Sequence, residues 1–348
     1  MIYFNALLHR VFAAFQHAHL INMIPVVATW LTFVVAAWLS YFWQARHLNQ
    51  PIYLKSFCVA VLPPEAFKSR SFRIDIVIYI GSRVMRGLMA VGDSAITLTV
   101  AYFLQSLLKA FLPMTVAKEP DNIVFVIWSI VLFIVVDFAN FVSHFLQHKV
   151  GFLWELHKVH HSATVLTPIT TSRVNPLGDK FDHLVAATVN GIPAGVAMYF
   201  FDFRALDIGV MVATVNLFAS ILNLDSLRHS NYQISFGWFD RVFISPHMHQ
   251  LHHSAQFEDW DINLGNKLAV WDWIFGTAKI PAKGEKIHFG IGRGSHYDAE
   301  YTTLYGAYVR PVINMFRVMV GRGAPLPEPT MVATKTDEAA VSREGDEA

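Results

Sequence analysis

Long apolar runs separated by short polar links set the plan of this chain. A helix needs about 20 mostly apolar residues to cross a bilayer. Five segments meet or approach that length: 23–42, 94–112, 122–142, 184–203 and 208–224. The third is the most apolar, broken only by Asp137. The fourth and fifth read as a helical hairpin turning at Arg204 and Asp207. Segment 74–92 is different. Arg83 and Arg86 are three apart and so share a helical face, which predicts a basic-faced helix lying at the membrane interface. The pattern predicts an all-α integral membrane protein with about five transmembrane helices, within a range of about four to six.

Basic residues orient these spans, because cytoplasmic loops carry excess Lys and Arg. Arg46, Lys55, Lys68, Arg70 and Arg73 follow the first span, and Lys149, Lys158, Arg173 and Lys180 follow the third. Both segments are expected on the cytoplasmic side, with the N-terminus outside.

Composition agrees. Of 348 residues, 54% are hydrophobic and 15% charged, where a soluble domain carries about 25% charged. Mean hydropathy is +0.38. The formal net charge of +1 offers no field for nucleic acid. Cys58 is the only cysteine, so a cysteine-ligated cluster or zinc site within the chain is excluded. Residues 1–22 do not read as a signal peptide. The tail from Gly323 lacks periodic apolar positions and is expected to be disordered.

Histidine placement changes the picture most. Of 17 histidines, 11 lie between residues 144 and 253. Three motifs stand out: His144-x-x-x-His148, His157-x-x-His160-His161 and His249-x-x-His252-His253, with His229 alone in Arg228-His229-Ser230-Asn231. Spacings of three and four put imidazoles on one helical face, close enough to share a metal. The predicted topology delivers all nine to one membrane face. Nine imidazoles exceed what one ion can use, so two neighbouring ions are expected in a helical cytoplasmic cap. Imidazole suits zinc, copper, iron and nickel alike, so ligand type does not choose the metal. His183 opens a span, and His247 precedes the third motif facing away from His249; both are candidates for an outer role. Carboxylates commonly orient ligating imidazoles. Asp137, seven residues before His144, and Asp225, four before His229, are placed for that.

The residues resemble the fatty acid hydroxylase/sterol desaturase superfamily of integral membrane di-iron enzymes. Phe152-Leu153-Trp154-Glu155-Leu156-His157-Lys158-Val159-His160-His161-Ser162 and Ser245-Pro246-His247-Met248-His249-Gln250-Leu251-His252-His253-Ser254 are similar to its central motifs. Asp261-Ile262-Asn263-Leu264-Gly265 and Trp271-Asp272-Trp273-Ile274-Phe275-Gly276-Thr277 are similar to the end of its domain. The resemblance implies that the nine motif histidines ligate two iron ions, with Asp261 a further outer candidate. It implies O2 as co-substrate, electrons from a separate donor, and hydroxylation or desaturation of a C–H bond on a membrane lipid. It also suggests a partition into a membrane and interfacial segment (1–93), a catalytic domain (94–280), an extension (281–322) and a tail (323–348).

Two positions depart from the family pattern. Arg-x-His-Pro is replaced by Arg173-Val174-Asn175-Pro176, and Lys149 stands where an acid often follows the first motif. Asn175 can hydrogen-bond, or ligate weakly through its oxygen. Rival readings are a non-catalytic membrane protein that keeps the scaffold, a metal transporter, and a zinc-dependent membrane hydrolase.

Overall fold

The computed structural model describes residues 52–61, 64–112, 119–201, 203–204, 207–211, 225–230, 233–282, 285, 287–292 and 295–322, with isolated positions elsewhere. The expected span at 23–42, most of that at 208–224 and the tail from 323 lie outside the described residues.

Seven helices organise what is described: α1 (Arg70–Phe111), α2 (Asn122–Lys149), α3 (Gly151–His161), α4 (Pro176–Phe200), α5 (Pro246–His252), α6 (Val270–Phe275) and α7 (Arg310–Met319). Among the described residues there is no strand, only two isolated bridges, Phe243 with Leu268 and Ser254 with Phe289. Helix starts follow local chemistry. Asp121 accepts from the Val124 N–H at 2.8 Å, and Asn175 and Ser245 cap α4 and α5, each followed by a proline suited to the first helical position.

Three helices are long and apolar enough to cross a membrane: residues Gly92–Phe111 of α1, all of α2 and all of α4. On α2 the exposed residues Ile123, Val126, Ile127, Ile130 and Ile134 follow helical spacing, an apolar stripe that none of the described residues covers.

The structure differs from the periodicity reading in two places. Segment 74–92 is not a separate interfacial helix. It continues unbroken into the apolar half of α1, because no proline or cap interrupts residues 70–111. Its arginines do share a face, and that face meets protein: Arg86 pairs with Asp179 of α4 at 2.9 Å, and Arg83, though exposed, reaches Ser172 at 3.5 Å. Ile76, Val77, Ile80 and Val84 are exposed instead. The second difference lies at the helix ends. α2 runs through His144 and His148 to Lys149, and α4 starts at Pro176, well before the apolar run.

α4 lies between α1 and α2 and packs against both. Its apolar span is 44% buried, against 6% for α1 and 17% for α2. Gly191 and Gly195, four apart on α4, let the α1 backbone approach closely, as small residues do between membrane helices. A Cβ on Gly191 would lie 2.5 Å from that of Val100, and one on Gly195 would lie 2.6 Å from the Ala101 carbonyl oxygen. Thr97 and Gln105 of α1 add hydrogen bonds to the Ala187 and Met198 carbonyls of α4, at 3.1 and 2.7 Å.

Where α1, α3 and the turn before α4 meet, Arg173 is wholly buried. It donates to Asp75 at 2.7 Å, Ser71 O at 3.1 Å, Val159 O at 2.9 Å and Ser162 Oγ at 2.9 Å. Asp75 in turn accepts from Thr170 Oγ1 at 2.8 Å. One guanidinium thus fixes α3 and the 168–172 turn against α1.

Gly195→Ala is expected to cost about 1–3 kcal/mol by overpacking the α1–α4 contact. Gly92→Ala, whose Cβ would meet nothing within 4 Å, should be neutral or stabilising. Thermal melts of the two variants in detergent check this; equal melting temperatures would contradict the packing.

Candidate metal centre

The short link at Val150 turns α2 back into α3, so the last two turns of α2 face α3. This brings His144 and His148 against His157 and His161. α5 approaches from the other side. The nine motif histidines gather into two groups: His144, His148, His157, His161 and His252 in one, and His160, His229, His249 and His253 in the other. Within each group one nitrogen per ring lies within 4.8 Å of every other.

Each H-x-x-H-H motif is divided between the groups by helical phase. His157 and His161, four apart, stay together, while His160 crosses to the other group. His249 and His253 stay together, while His252 crosses. The spacing of four, one helical turn, is the signal in the sequence that assigns partners.

Neighbouring Nε2 atoms are 3.1 Å apart between His144 and His157 and 3.2 Å between His157 and His161. In the second group His229 Nε2 lies 3.1 Å from those of His160, His249 and His253, and His249 and His253 are 3.3 Å apart. A neutral imidazole carries one N–H. A ring of three such nitrogens, His229, His249 and His253, cannot alternate donor with acceptor, so one pair must oppose like with like. In the first group the Nε2 atoms of His148 and His252 are buried with no hydrogen-bond partner. Unpartnered buried polar atoms are costly. A cation inside each group removes both penalties, and the donor set fits one.

Burial keeps these rings neutral, as ligation requires. It holds His157, His161, His229, His249, His252 and His253 well below the usual imidazole range, with the neighbouring histidines adding to the effect. His160 is pushed down to about 4, chiefly by burial.

A single loop, 261–265, orients three rings of the first group. Asp261 Oδ1 lies 3.1 Å from His148 Nδ1, the Ile262 carbonyl 2.8 Å from His252 Nδ1, and the Leu264 carbonyl 2.8 Å from His144 Nδ1. The loop is held in an unusual form. Asp261 and Asn263 adopt φ of 58° and 49°, a region favoured mainly by Gly, Asn and Asp. Asn263 clamps Met248 O at 3.1 Å and Lys279 O at 2.8 Å, and Asp272 accepts the Leu264 and Gly265 N–H groups at 2.7 and 2.8 Å. Burial raises the Asp272 carboxyl above its ordinary value, against these hydrogen bonds.

Other candidates fall elsewhere. Asp137 touches no histidine of either group. It accepts Lys267 N, Leu268 N and Trp271 Nε1 at 2.8–3.0 Å and so anchors the segment after the loop. His183 pairs with Asp93 of α1 at 3.0 Å, too far round α4 to face the groups. His247 is in neither group and its Nε2 is buried without a partner. The side chain of Asp225 lies outside the described residues. Asn175 is committed to structure: Oδ1 caps α4 at Leu177 N, and Nδ2 donates to the Ala307 and Tyr308 carbonyls at 2.9 and 3.1 Å. Of the two uses expected for Asn175, hydrogen bonding is the one seen here. Lys149 meets Asp261 at 2.8 Å. Sequence reasoning missed Thr171, whose hydroxyl lies 2.8 Å from His229 Nδ1 and which has no sequence signal beyond its polarity; it counted Arg173 as an orienting charge and part of the Arg-x-Asn-Pro pattern, without its buried structural role.

Comparison with known proteins bears out the resemblance. Residues 129–277 match the fatty acid hydroxylase family model. The chain is similar to the ornithine lipid hydroxylase OlsE of Rhizobium tropici, 27% identical over 158 residues, covering 45% of this chain and 44% of that protein. It is similar to alkylglycerol monooxygenase of Caenorhabditis elegans, 27% identical over 156 residues, covering 44% and 28%. A further relative is Delta(7)-sterol 5(6)-desaturase erg3C of Aspergillus fumigatus, 25% identical over 151 residues, covering 42% and 46%. The chain thus spans less than half the length of each. No solved structure matches significantly.

Asp261→Ala should weaken metal binding at the five-histidine group about 10–100-fold, the usual effect of losing a partner that orients a ligand, and leave the four-histidine group near its native affinity. Metal titration followed by a spectroscopic probe of each site checks this. Equal weakening of both sites would contradict the assignment.

Proposed function

We propose that this chain is an O2-dependent lipid hydroxylase or desaturase of the membrane, whose two histidine groups each hold one iron ion. The observation that carries the reading is the convergence of nine buried or half-buried imidazoles into groups of five and four, with the Nε2 atoms of His148 and His252 left unpartnered in the first and those of His229, His249 and His253 crowded together in the second. The similarity of residues 129–277 to lipid hydroxylases, monooxygenases and a desaturase supports the reaction class. Bound iron would supply the redox chemistry that cleaves an unactivated C–H bond, which zinc cannot do because it has no redox chemistry.

The chain's own residues prepare the site. His144, His148, His157, His161 and His252 would hold one ion, and His160, His229, His249 and His253 the other. Leu264 O, Ile262 O and Asp261 accept at Nδ1 of their histidines. That fixes the tautomer in which Nε2 presents its lone pair inward. Thr171 fixes the ring of His229 in the same way.

For hydroxylation the balance is R–H + O2 + 2 e⁻ + 2 H⁺ giving R–OH + H2O, and desaturation takes the same electrons and yields two waters. The two electrons would be delivered by an electron carrier, which this reading takes to be a separate protein. On this reading the protein is multi-pass with the histidine groups on the cytoplasmic side, a placement supported by the excess of Lys and Arg after the first and third apolar segments.

Purified protein is expected to carry about two irons per chain. His252→Ala should empty the five-histidine group and His160→Ala the four-histidine group, each abolishing lipid-dependent O2 uptake. Metal analysis and oxygen electrode measurements check this. Stoichiometric zinc with turnover indifferent to O2 would contradict it and favour a hydrolase.

A further inference from the structure

The two histidine groups differ in what stands behind their rings. In the five-histidine group His144 and His252 each have a backbone carbonyl 2.8 Å from Nδ1, and His148 has the Asp261 carboxylate at 3.1 Å. An acceptor at Nδ1 makes a ligating imidazole more basic and pushes electron density towards the ion. Lys149 shares the Asp261 carboxylate at 2.8 Å, but it is exposed, where solvent screens its charge. In the four-histidine group His229 meets the neutral Thr171 hydroxyl at 2.8 Å, and the Nδ1 atoms of His249 and His253 are buried with no hydrogen-bond partner. This group also has one ring fewer. It therefore gives an ion less electron density and leaves more positions open.

Charge divides in the same sense. A cavity of about 340 Å3 opens onto both groups, touching His160, His229 and His249 of one and His144 and His157 of the other. Arg86, Asp179, Asp182, Arg228 and Lys267 line it. Arg86 and Asp179 match each other through hydrogen bonds of 2.9 and 3.0 Å. Asp182 accepts from Ser143 and Gln147 of α2, the helix that carries His144 and His148 of the five-histidine group. Lys267 adds a further cation to the wall. Arg228 is buried and immediately precedes His229 of the four-histidine group. Asn266 holds its guanidinium: Nη1 donates to Asn266 Oδ1 at 3.0 Å and Nη2 to the Asn266 carbonyl. After burial and a neighbouring imidazole, the charge of Arg228 is the next cause that holds His229 and His249 below their ordinary range. Arginine stays charged at any working pH, so this field is permanent.

We propose, resting on the di-iron reading, that Arg228 makes the four-histidine group the electron-poor half of the centre. There it favours Fe2+ over Fe3+, so the first electron from the separate carrier settles in this group (Fe3+ + e⁻ giving Fe2+). It also draws a small anion that enters the cavity to this group and not to the five-histidine one. O2 gathers negative charge as it takes up electrons under the balance given above, and a fixed cation beside that charge stabilises it. Arg228 gives up no proton in doing so; it acts by charge alone.

The test uses the full-length, iron-loaded protein in detergent. A mediated redox titration followed by Mössbauer spectra should show two one-electron waves. Arg228→Gln should lower the upper wave by about 59 mV or more, a tenfold change in a one-electron equilibrium, and leave the lower wave in place. Arg228→Lys, which keeps the charge, should hold the upper wave near its native value. An upper wave that stays put in an Arg228→Gln protein with full iron content, or two waves that fall equally, overturns the proposal. Azide is the second arm, and carries the test if the Gln variant does not fold. Its binding is read from the azide-to-iron charge-transfer band. His252→Ala protein, left with iron in the four-histidine group, should bind azide about 10-fold or more tighter than His160→Ala protein, left with iron in the five-histidine group; that is the worth of one charge-assisted hydrogen bond. Equal or reversed affinities overturn the proposal. A native protein that holds two metal ions but shows no redox wave sinks the di-iron reading itself.

Discussion

Imidazole nitrogens that face one another in a dry space repel or go unsatisfied unless a cation lies between them. That constraint governs this structure. His229, His249 and His253 form a triangle that no arrangement of three ring protons can satisfy, and His148 and His252 point buried nitrogens at nothing. Folding such a cluster costs energy, so the surrounding elements must hold it rigidly. The 261–265 loop, the Asn263 and Asp272 clamps and the Arg173 hub do so.

Several of these supports act at one remove. Asp137 lies in the apolar heart of α2, yet its carboxylate is fully used by backbone and indole N–H groups of 267–271. It ties the segment after the loop to the membrane helix that carries His144. Asp272 then sets the Leu264 N–H, and the Leu264 carbonyl sets His144. The helix that delivers the first two histidines thus also holds the loop that aims them.

Much of the site was legible because helical periodicity speaks directly about side-chain direction. The spacings of three and four in the motifs predicted rings close enough to share a metal, but not which rings fall in which group; the structure pairs His144 with His148, His157 with His161 and His249 with His253. The crossing of His160 and His252 became visible only once α3 and α5 were placed against each other. Carboxylates were harder to read. Proximity in sequence suggested Asp137, but its partners lie on another element at large sequence separation. Asn175 was read against a histidine in related chains; its structural use, capping α4 and holding the 307–308 carbonyls, depends on a C-terminal segment with no motif. The basic face of segment 74–92 was read correctly as a face, but periodicity cannot say whether a face meets lipid or another helix. The Arg86–Asp179 pair decides that.

The claim everything rests on is that the two histidine groups are two metal sites. Anomalous diffraction from crystals of the iron-loaded protein, recorded on either side of the iron edge, tests it directly. The account predicts two iron peaks, one enclosed by His144, His148, His157, His161 and His252 and one by His160, His229, His249 and His253. A single peak shared by all nine rings, or peaks that appear only at the zinc edge, would contradict it.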